Sequence, residues 1–392
     1  MALPLSYPLR NLRARFSRSL MSVGVIALVV VACSLLLGLI SSLKRTLVST
    51  GDPMTIIVLR KGSGNDGSSQ IGLDAFRDVR FFAGIARNAQ DTPLVSPELV
   101  VQPFARTVEG GRENVLVRGV EPIALEVHPE VRIAQGRMFT PSSGEALVGK
   151  GAAGRYVGAR LGEQIEVGHR RWTVVGILES GGSSFESEIW TDARELAADA
   201  KRIFPYSGLR LRAETPAAIE PLIQRINDDP RHTLEAQREA DYYAKQAESA
   251  NTLYALVIGI AVLAGIGACF GAANTMYAAV QARTAEIGTL RALGFSRGTI
   301  LRAFQTESVA LSLVGFAVGA LLSVGLEYAL RFALGGIAFG AATFTTNVIS
   351  LRVGVADLAV ALALALLIGF IGGLGPAWRA AAMRPIEALR KA

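Results

Sequence analysis

Cysteine, histidine and charge are all scarce in this sequence. Its 392 residues include two cysteines and three histidines, and 19% of the residues are charged. Cys33 and Cys269 both fall inside long apolar runs, so we expect no disulfide. His128, His169 and His232 lack metal-ligand spacing, and we expect them at the surface. No H-E-x-x-H or G-x-S-x-G motif occurs, so the sequence predicts no catalytic, metal or cofactor site.

A complete phosphate-binding loop is also missing. The segment 144–151 (GEALVGKG) fits most of such a loop, but Gly151 stands where Ser or Thr would hold magnesium. We expect a strand at 146–148 with flanking turns instead. The sequence therefore predicts a non-catalytic chain, and any ATP and Mg²⁺ that drive it are expected on a partner.

Long apolar runs, by contrast, are abundant. Hydrophobic residues make up 51% of the chain, and four runs reach the roughly 20 residues that cross a bilayer as a helix. None carries a charge near its middle, which disfavours an ion channel or a proton-coupled carrier. We predict an integral membrane α-helical protein with a large α+β extracytoplasmic domain between the first and second transmembrane helices. The predicted transmembrane helices are 19–43, 251–281, 303–330 and 355–376.

The basic residues predict the orientation in the membrane. The net charge is +7, and clusters of Arg and Lys precede the first run, separate the second from the third, and follow the fourth. Such clusters favour the cytoplasmic side. Both termini, including a tail at 377–392, are therefore predicted inside, and 44–250 and an outer loop at 331–354 are predicted outside. This placement accounts for the positive charge without a nucleic-acid partner.

The N-terminal region carries two further signals. Residues 1–18 repeat apolar side chains at helical spacing, which predicts a cytoplasmic amphipathic helix lying against membrane lipid. Residues 30–33 (VVAC) resemble a lipid-attachment site, but the apolar run continues beyond Cys33. We therefore expect an uncleaved first transmembrane helix. The apolar side chains of the amphipathic helix are Leu5, Leu9, Leu12 and Phe16.

The outer region alternates short β-branched segments with helical ones. This rhythm predicts a small split α/β subdomain whose core includes Leu222, Ile223 and Ile226. The segment 61–70 is rich in Gly and Ser and is expected to be a flexible loop. Residues at about 233–250 are predicted to form a stalk helix that runs into the second transmembrane helix. The predicted strands are 55–59, 114–120, 163–167, 172–178 and 209–212, and the predicted helices are 73–87 and 216–228.

A short basic segment at 282–302 joins the second and third transmembrane helices. We predict a helix that stops at Gly294 and a following helix with its N-cap at Ser296. An apolar strip exposed at the membrane face needs a protein partner, and charges at its edges would set the register. The strip is Ile287, Leu290 and Leu293, and the charges are Arg283, Glu286 and Arg291.

Glycine pairs at four-residue spacing occur in the last three transmembrane helices. Small residues at this spacing let helices approach closely in lipid. We therefore predict helix packing at Gly267 and Gly271, Gly315 and Gly319, and Gly369 and Gly373.

Several motifs occur together with this layout. The inner segment has the pattern R-x-x-E-I-G-x-x-R-A-x-G in Arg283, Glu286, Ile287, Gly288, Arg291, Ala292 and Gly294. The C-terminus has P-A-x-x-A and then P-x-E-A-L-R in Pro376, Ala377, Ala380, Pro385, Glu387, Ala388, Leu389 and Arg390. The outer region adds VRGV at 117–120, GRMF at 136–139 and GEQIEV at 162–167. With these motifs the chain resembles the MacB/FtsX-type ABC transporter permeases over nearly its whole length.

The resemblance implies a multi-pass permease of the bacterial inner membrane with its large domain in the periplasm. It implies a homodimer or a paralogous heterodimer, clasped by cytoplasmic ABC ATPase subunits that bind ATP and Mg²⁺. The segment 283–294, including Leu290, would be the coupling helix that docks on the ATPase. Because the first apolar run begins close to the N-terminus, the ATPase is expected on a separate chain.

In this family the ATPase cycle is expected to move the outer domain through the stalk helix. The movement would drive export or extraction of a cargo such as a peptide, antibiotic, lipid or lipoprotein. A periplasmic adaptor and an outer-membrane channel take part in some relatives. The alternative is an FtsX-like transmembrane signal transmitter, which activates an extracytoplasmic partner without transport.

Overall fold

The computed structural model describes residues 16–334, 337–339, 347–349 and 351–385. The chain divides into two compact units. The helical unit contains the described residues up to Ser41, residues 251–332 and the residues from Leu351 onward. The sheet unit contains 42–250 and the described part of 333–350.

The secondary structure is numbered in chain order within the described residues. The α-helices are α1 (Phe16–Val48), α2 (Leu73–Val79), α3 (Ala124–Val127), α4 (Lys150–Ala153), α5 (Ala193–Asp199), α6 (Ile219–Asn227), α7 (Glu239–Gln281), α8 (Thr284–Ala292), α9 (Arg297–Leu334) and α10 (Val355–Ala382). The strands are β1 (Thr55–Arg60), β2 (Val95–Val101), β3 (Phe104–Arg106), β4 (Arg112–Asn114), β5 (Val117–Val120), β6 (Arg132–Gly136), β7 (Glu145–Gly149), β8 (Gln164–Val167), β9 (Arg170–Glu179), β10 (Ile189–Asp192), β11 (Gly208–Arg212), β12 (Leu234–Arg238), β13 (Ile337–Phe339) and β14 (Asn347–Ile349). Short 3-10 helices lie at Asp66–Ser68, Ser184–Ser187 and Pro216–Ala218.

Four helices of the described chain are long and apolar enough to cross a membrane, which confirms the number predicted. Each continues beyond the range predicted from hydrophobicity, because an α-helix satisfies its own backbone hydrogen bonds in water and lipid alike. Glu327 near the end of α9 accepts a hydrogen bond from the Val353 amide at 3.1 Å. The membrane-crossing segments are Leu20–Val48, Glu239–Gln281, Arg297–Leu330 and Val355–Ala382.

Helix α1 is the most enclosed part of the helical unit. Ile26, Val30 and Leu37 are each at most 2% exposed. Ser34 Oγ lies 2.7 Å from Ser323 Oγ of α9, and both side chains are buried. A buried hydroxyl in apolar surroundings needs such a partner, so this pair favours one rotation of α1 against α9.

One ten-stranded sheet forms the frame of the sheet unit. The strands lie in the order β12-β1-β11-β2-β5-β10-β7-β9-β6, with β8 also paired to β9. The pairs β5–β10 and β7–β9 are parallel, and the other pairs are antiparallel. Strand β1 is buried along its first five residues, since it has a neighbour on each edge and is covered on both faces.

Three apolar clusters of described residues lie along this sheet, and two of them are the largest. The first is formed by β1, β11 and β12 with helices α2 and α6, and it contains Leu222 and Ile226 with Ile223 packed against them. This confirms the predicted split α/β core. The second lies around β5, β7, β9 and β10, and its largest side chain is Trp172 at 1% exposed.

Two predicted elements have different bounds in the structure. The strand predicted at 114–120 is two strands, because β4 pairs with β3 while β5 joins the main sheet. The helix predicted at 73–87 ends at Val79, because the chain turns at Gly84 (φ +98°) and Ile85 pairs with Ala213. In both cases a long-range backbone pairing decides where the element ends.

The predicted stalk is also shorter than expected. Residues 234–238 form strand β12 along the edge of β1, and the helix begins at Glu239. Leu234 and Ala236 point inward and are buried, whereas Glu235 is exposed. This period of two is typical of a strand, and it outweighs the helical composition of the segment.

Some predictions concern residues outside the described ones. The amphipathic helix predicted at 1–18 falls there almost entirely, with Leu5, Leu9 and Leu12. Within the predicted outer loop at 331–354, the described residues include the paired strands β13 and β14.

Candidate functional site

A buried ion pair anchors the segment between the second and third membrane-crossing helices. Arg283, which directly precedes α8, donates from Nη1 and Nη2 to the two carboxylate oxygens of Glu307 at 2.9 and 3.1 Å. The side chains are 6% and 8% exposed, and the guanidinium lies 6.0 Å above the Phe304 ring. Such a two-pronged pair restricts both distance and orientation. The expectation that Arg283 lies on an exposed edge is therefore wrong, because it holds α8 against α9.

The turn after α8 forms as the sequence predicted. Gly294 has φ +92°, a left-handed conformation that suits glycine. The Phe295 amide donates to the Leu290 carbonyl at 3.2 Å, which is the long bond of a Schellman motif. Ser296 Oγ accepts from the Thr299 amide at 3.2 Å and caps α9. The predicted stop and N-cap are confirmed.

The apolar strip of α8 is largely covered. Ile287 is 2% exposed and Gly288 is buried, while Leu290 packs partly against the same cluster. Leu293, in contrast, is 69% exposed. The prediction of one exposed strip is therefore wrong for Ile287, whose side chain belongs to the core of the helical unit. That cluster also contains Met276, Val280, Ile300, Phe304, Leu311, Ala377, Ala380 and Ala381.

The opposite side of α8 is open. Glu286, Thr289, Ala292 and Leu293 are all exposed, and we call them the α8 outer surface. Arg291 is partly buried, and its Nη1 donates to the Phe295 carbonyl at 3.0 Å. Of the predicted coupling charges, Glu286 is exposed, Arg291 is partly buried and Arg283 is buried.

The C-terminal motif packs on the inner side of α8. Ala377 and Ala380 are fully buried in the cluster that contains Ile287, and Pro376 is buried inside α10. Their small volume lets α10 approach closely. Pro385 is partly buried. Glu387 and Leu389, the other predicted residues of this motif, lie outside the described residues.

Two of the three predicted glycine pairs lie at close helix contacts. A Cβ on Gly315 would lie 2.8 Å from Ile26 Cβ, and one on Gly319 would lie 2.7 Å from Val30 Cβ, so this pair receives α1. The pair Gly369 and Gly373 packs against α9. A Cβ on Gly369 would lie 2.3 Å from Ser312 Oγ, and one on Gly373 would lie 2.5 Å from Ser308 Cβ.

The remaining pair, Gly267 and Gly271, has no close helix contact among the described residues. A Cβ on Gly267 would meet no atom within 4 Å, and one on Gly271 would meet Val25 Cγ1 at 4.0 Å. Sequence reasoning missed Gly372, where a Cβ would lie 2.9 Å from the Cys269 carbonyl oxygen. The four-residue spacing signals small residues on one helix face but not which face has a neighbour.

A second group of polar side chains lies inside the sheet unit. Arg118 is 1% exposed and donates to both carboxylate oxygens of Glu188 at 2.7 and 2.6 Å. It also donates to Glu98 at 2.8 Å. Sequence reasoning missed this group because its members come from segments far apart in the chain, from the loop after β1 to the start of α7. The buried ion cluster is Asp66, Glu98, Arg118, His128, Glu188, Arg210 and Glu239.

Arg210 connects this cluster to the first residue of α7. Its Nη2 donates to Asp66 Oδ2 at 3.0 Å, its Nη1 lies 3.2 Å from Glu98 Oε2, and its Nε lies 3.5 Å from Glu239 Oε1. Asp66 belongs to the loop that was expected to be flexible, and it is tied to this cluster instead. Buried charges need such partners, because leaving one unpaired is strongly unfavourable.

His128 is fully buried, so its predicted surface position is wrong. Its Nε2 lies 2.9 Å from Glu98 Oε1 and its Nδ1 lies 3.3 Å from Glu130 Oε1. Burial alone would lower the pKa of the imidazole, but the neighbouring Glu98 carboxylate outweighs it and raises that pKa to about 10. Burial would likewise raise the pKa of Glu98, but Arg210 and the other nearby cations hold it well below its usual range.

The segment that partly matches a phosphate-binding loop is structural. Strand β7 occupies Glu145–Gly149, as predicted, and the one-turn helix α4 follows where a turn was expected. Lys150 Nζ donates to Glu179 at 2.8 Å. A Cβ on Gly149 would lie 2.3 Å from the Glu186 carbonyl oxygen, so the glycine here serves close backbone packing.

Comparison with known proteins identifies relatives of this chain. The chain is similar to the pyoverdine export ATP-binding/permease protein PvdT of Pseudomonas entomophila (strain L48), 28% identical over 262 residues that cover 58% of this chain and 35% of that protein. It is also similar to PvdT of Pseudomonas syringae pv. tomato, 27% identical over 285 residues that cover 66% of this chain and 40% of that protein. The chain therefore spans less than half the length of these relatives.

Two solved structures are similar to this chain at a lower level. The periplasmic region of MacB from Actinobacillus actinomycetemcomitans has 11% identity and a TM-score of 0.38, covering 51% of this chain and 94% of that one. The extracellular domain of the ABC-type transporter YknZ from Gram-positive bacteria has 17% identity and a TM-score of 0.36, covering 47% of this chain and 99% of that one.

Two family models match successive parts of the chain. The MacB-like periplasmic core domain matches residues 19–229, which is more than half of the 392 residues. The FtsX-like permease C-terminal domain matches residues 257–385, the part that includes α8, the glycine pairs and the described C-terminal motif. With these two domains in this order around four membrane-crossing helices, the chain belongs to the MacB/FtsX-type ABC transporter permeases.

Proposed function

We propose that this protein is the permease subunit of an ABC-type exporter in a bacterial inner membrane. ATP and Mg²⁺ are bound and used by a separate cytoplasmic ATPase subunit, and this chain converts the cycle into movement of the periplasmic sheet unit. The observation that carries the proposal is α8. It is a short helix held rigidly on its inner side and open on its outer side, as a surface that receives a push has to be.

The α8 outer surface is the proposed contact with the ATPase. Leu293 offers an apolar knob and Glu286 offers a charge, which together can provide affinity and register. The Arg283–Glu307 pair and the buried Ile287 prevent α8 from shifting independently of the helices beneath it. A force on Leu293 is thereby passed to the membrane helices.

Helix α7 is the proposed transmitter. It is one unbroken helix of 43 residues, about 65 Å long at 1.5 Å per residue. It begins in the sheet unit with Glu239 and ends in the helical unit at Gln281, immediately before Arg283. Because an α-helix resists compression along its axis, displacement of its inner end can move the sheet unit.

The permease partner is proposed to be a second copy of this chain or a paralogue. Helix α7 leaves a row of side chains exposed, with Leu256 60%, Leu263 70% and Phe270 74% exposed and Gly267 among them. This face can meet lipid or the partner permease. A periplasmic adaptor and an outer-membrane channel are part of the same proposal, as they are in some relatives.

The cargo is proposed to be a peptide, antibiotic, lipid or lipoprotein. Because the two curated relatives are named for pyoverdine export, pyoverdine is the first compound to test. Deletion of the gene should lower the amount of exported cargo in the medium, and the wild-type chain should restore it.

The biochemical test is co-purification from the native membrane. We expect an ABC ATPase to accompany the full-length chain, and its ATP hydrolysis to change when the two are reconstituted together. If deletion left all export unchanged but altered the activity of an extracytoplasmic enzyme, the signal-transmitter alternative would replace the exporter. Absence of any ATPase partner would contradict both.

A further inference from the structure

We propose that His128, Glu130 and Glu239 bind a divalent transition-metal cation of the zinc type. Each of the three side chains offers one ligand atom, and these atoms lie within 4.8 Å of one another. His128 and Glu130 come from the loop after α3, whereas Glu239 is the first residue of α7. A cation here would join that loop to the start of the long helix, independently of the proposed function.

The spacing of two of these ligands already suits one metal ion. His128 Nδ1 and Glu130 Oε1 are 3.3 Å apart. Two ligands at about 2.1 Å from a tetrahedral zinc are separated by roughly 3.4 Å. The ligand atom of the third residue, Glu239, lies within 4.8 Å of the other two.

The carboxylate oxygens in the site lack donors. Glu239 is fully buried, and neither its Oε1 nor Glu130 Oε2 has a hydrogen-bond partner among the described residues. The nearest charge to Glu239 Oε1 is Arg210 Nε at 3.5 Å, and Glu239 Oε2 accepts from the Asp52 amide at 3.3 Å. A buried carboxylate oxygen without a donor is costly, and a metal ion would remove that cost.

The second nitrogen of His128 is held as metal-binding histidines usually are. Nε2 lies 2.9 Å from Glu98 Oε1, a carboxylate contact that orients the ring so that Nδ1 is the nitrogen directed at Glu130. The ring is also packed edge-on against Phe185 and Trp190, with centroids 5.0 and 5.8 Å away. An ion bound at Nδ1 would displace the proton that otherwise bridges His128 and Glu130.

The charge balance of the surroundings also favours a cation. Five carboxylates lie in and beside the buried ion cluster, against two guanidinium groups and the one imidazole of His128. A divalent ion supplies positive charge where the carboxylates converge. The carboxylates are Asp66, Glu98, Glu130, Glu188 and Glu239, and the guanidinium groups belong to Arg118 and Arg210.

The ligand atoms limit which metal ions the site can bind. One imidazole nitrogen and two carboxylate oxygens suit zinc and its first-row neighbours. Calcium prefers six to eight oxygen ligands, and magnesium keeps most of its water. We therefore commit to Zn²⁺ as the probe and use Ca²⁺ as the discriminating control.

The test uses the full-length chain in detergent, purified with a histidine-free affinity tag and stripped of metal with a chelator. We expect one Zn²⁺ per chain by calorimetry and elemental analysis, a higher Tm with Zn²⁺, and no such response to Ca²⁺. The Glu130→Gln variant should bind Zn²⁺ at least about tenfold more weakly. Glu130 is partly exposed, so this variant should fold, as an unchanged Tm in chelator would show.

Glu126→Gln is the matched control. Glu126 is an exposed carboxylate four residues earlier and is not among the proposed ligands, so this variant should bind Zn²⁺ as the wild type does. Equal Zn²⁺ binding by Glu130→Gln and the wild type would overturn the proposal. So would the absence of stoichiometric binding, in which case a proton bridges His128 and Glu130.

Discussion

Arg283 and Glu307, which are 24 residues apart in sequence, form a buried ion pair that joins the start of α8 to α9. The first arginine of the inner motif is thus an internal anchor, whereas Glu286 three residues later is exposed. The motif therefore contains two kinds of residue. One kind is buried and holds the segment in place, and the other has an exposed side chain.

Removing one side of this pair should destabilise the helical unit. In Glu307→Gln the Arg283 guanidinium stays buried without a counter-charge, which costs about 3–5 kcal/mol in the free energy of unfolding. Thermal unfolding in detergent should show a clearly lower Tm. The double variant Arg283→Met with Glu307→Leu should lose less than either single change, and the exposed control Arg297→Gln should lose almost nothing. Equal losses in Glu307→Gln and Arg297→Gln would contradict the anchoring role.

Two leucines of α8 should respond differently to the same change. Leu293→Asp should keep the wild-type Tm, because Leu293 is 69% exposed, but should lower ATPase co-purification and cargo export together. Leu290→Asp should lower the Tm by itself, because Leu290 packs against the buried cluster. If Leu293→Asp retained full co-purification and export, the α8 outer surface would not be the coupling contact.

Glycine substitutions should separate packed from open positions. Gly319→Ala would place a Cβ 2.7 Å from Val30 Cβ, and this overpacking should cost about 1–3 kcal/mol. Gly325→Ala on the same helix has no atom within 4 Å and should be neutral or stabilising by up to about 1 kcal/mol. Thermal unfolding of the two variants compares them directly, and a stable Gly319→Ala variant would show that α1 lies elsewhere.

Gly267→Ala extends the same measurement to the partner permease. The position is open within the chain, so stability in monodisperse detergent should be unchanged. If α7 forms the contact with the second permease, the variant should shift the oligomer equilibrium in crosslinking or native mass spectrometry. An unchanged equilibrium would assign this face to lipid.

A proline in α7 should uncouple hydrolysis from transport. Ala244 is exposed in the outer part of the helix, so Ala244→Pro acts through the backbone and costs about 3 kcal/mol locally. Cargo export should be lost while ATP hydrolysis by the associated ATPase continues. Ala244→Ser keeps the backbone bonds and should export normally. Full export by the proline variant would remove the mechanical role of α7.

Local signals predicted the elements whose causes are local. Four apolar runs predicted four membrane-crossing helices, because burial in lipid depends on length and composition alone. Gly294 and Ser296 predicted the turn after α8 correctly, because both act through backbone bonds to residues within one turn. Leu222 and Ile226 were placed in a core by their helical spacing.

Features that depend on distant partners were not predictable from the sequence. The segment 234–238 became a strand because the edge of β1 was there to pair with it. His128 was expected at the surface, since nothing nearby in sequence indicates that Glu98 lies beside its ring. The buried ion cluster was missed for the same reason.

The sequence by itself determined that this chain is a membrane protein with a folded outer domain, where the basic segments lie, and that α8 stops at Gly294 before a helix capped by Ser296. Hydrophobicity, charge and capping act within a helix turn or along one continuous run, so a single sequence displays them. Only the tertiary structure decided which charged side chains form ion pairs inside the protein. Arg283 is buried in an ion pair with Glu307, whereas Glu286 and Leu293 are exposed. The sequence does not show this difference, because ion pairing depends on distance in space and Glu307 comes from another helix.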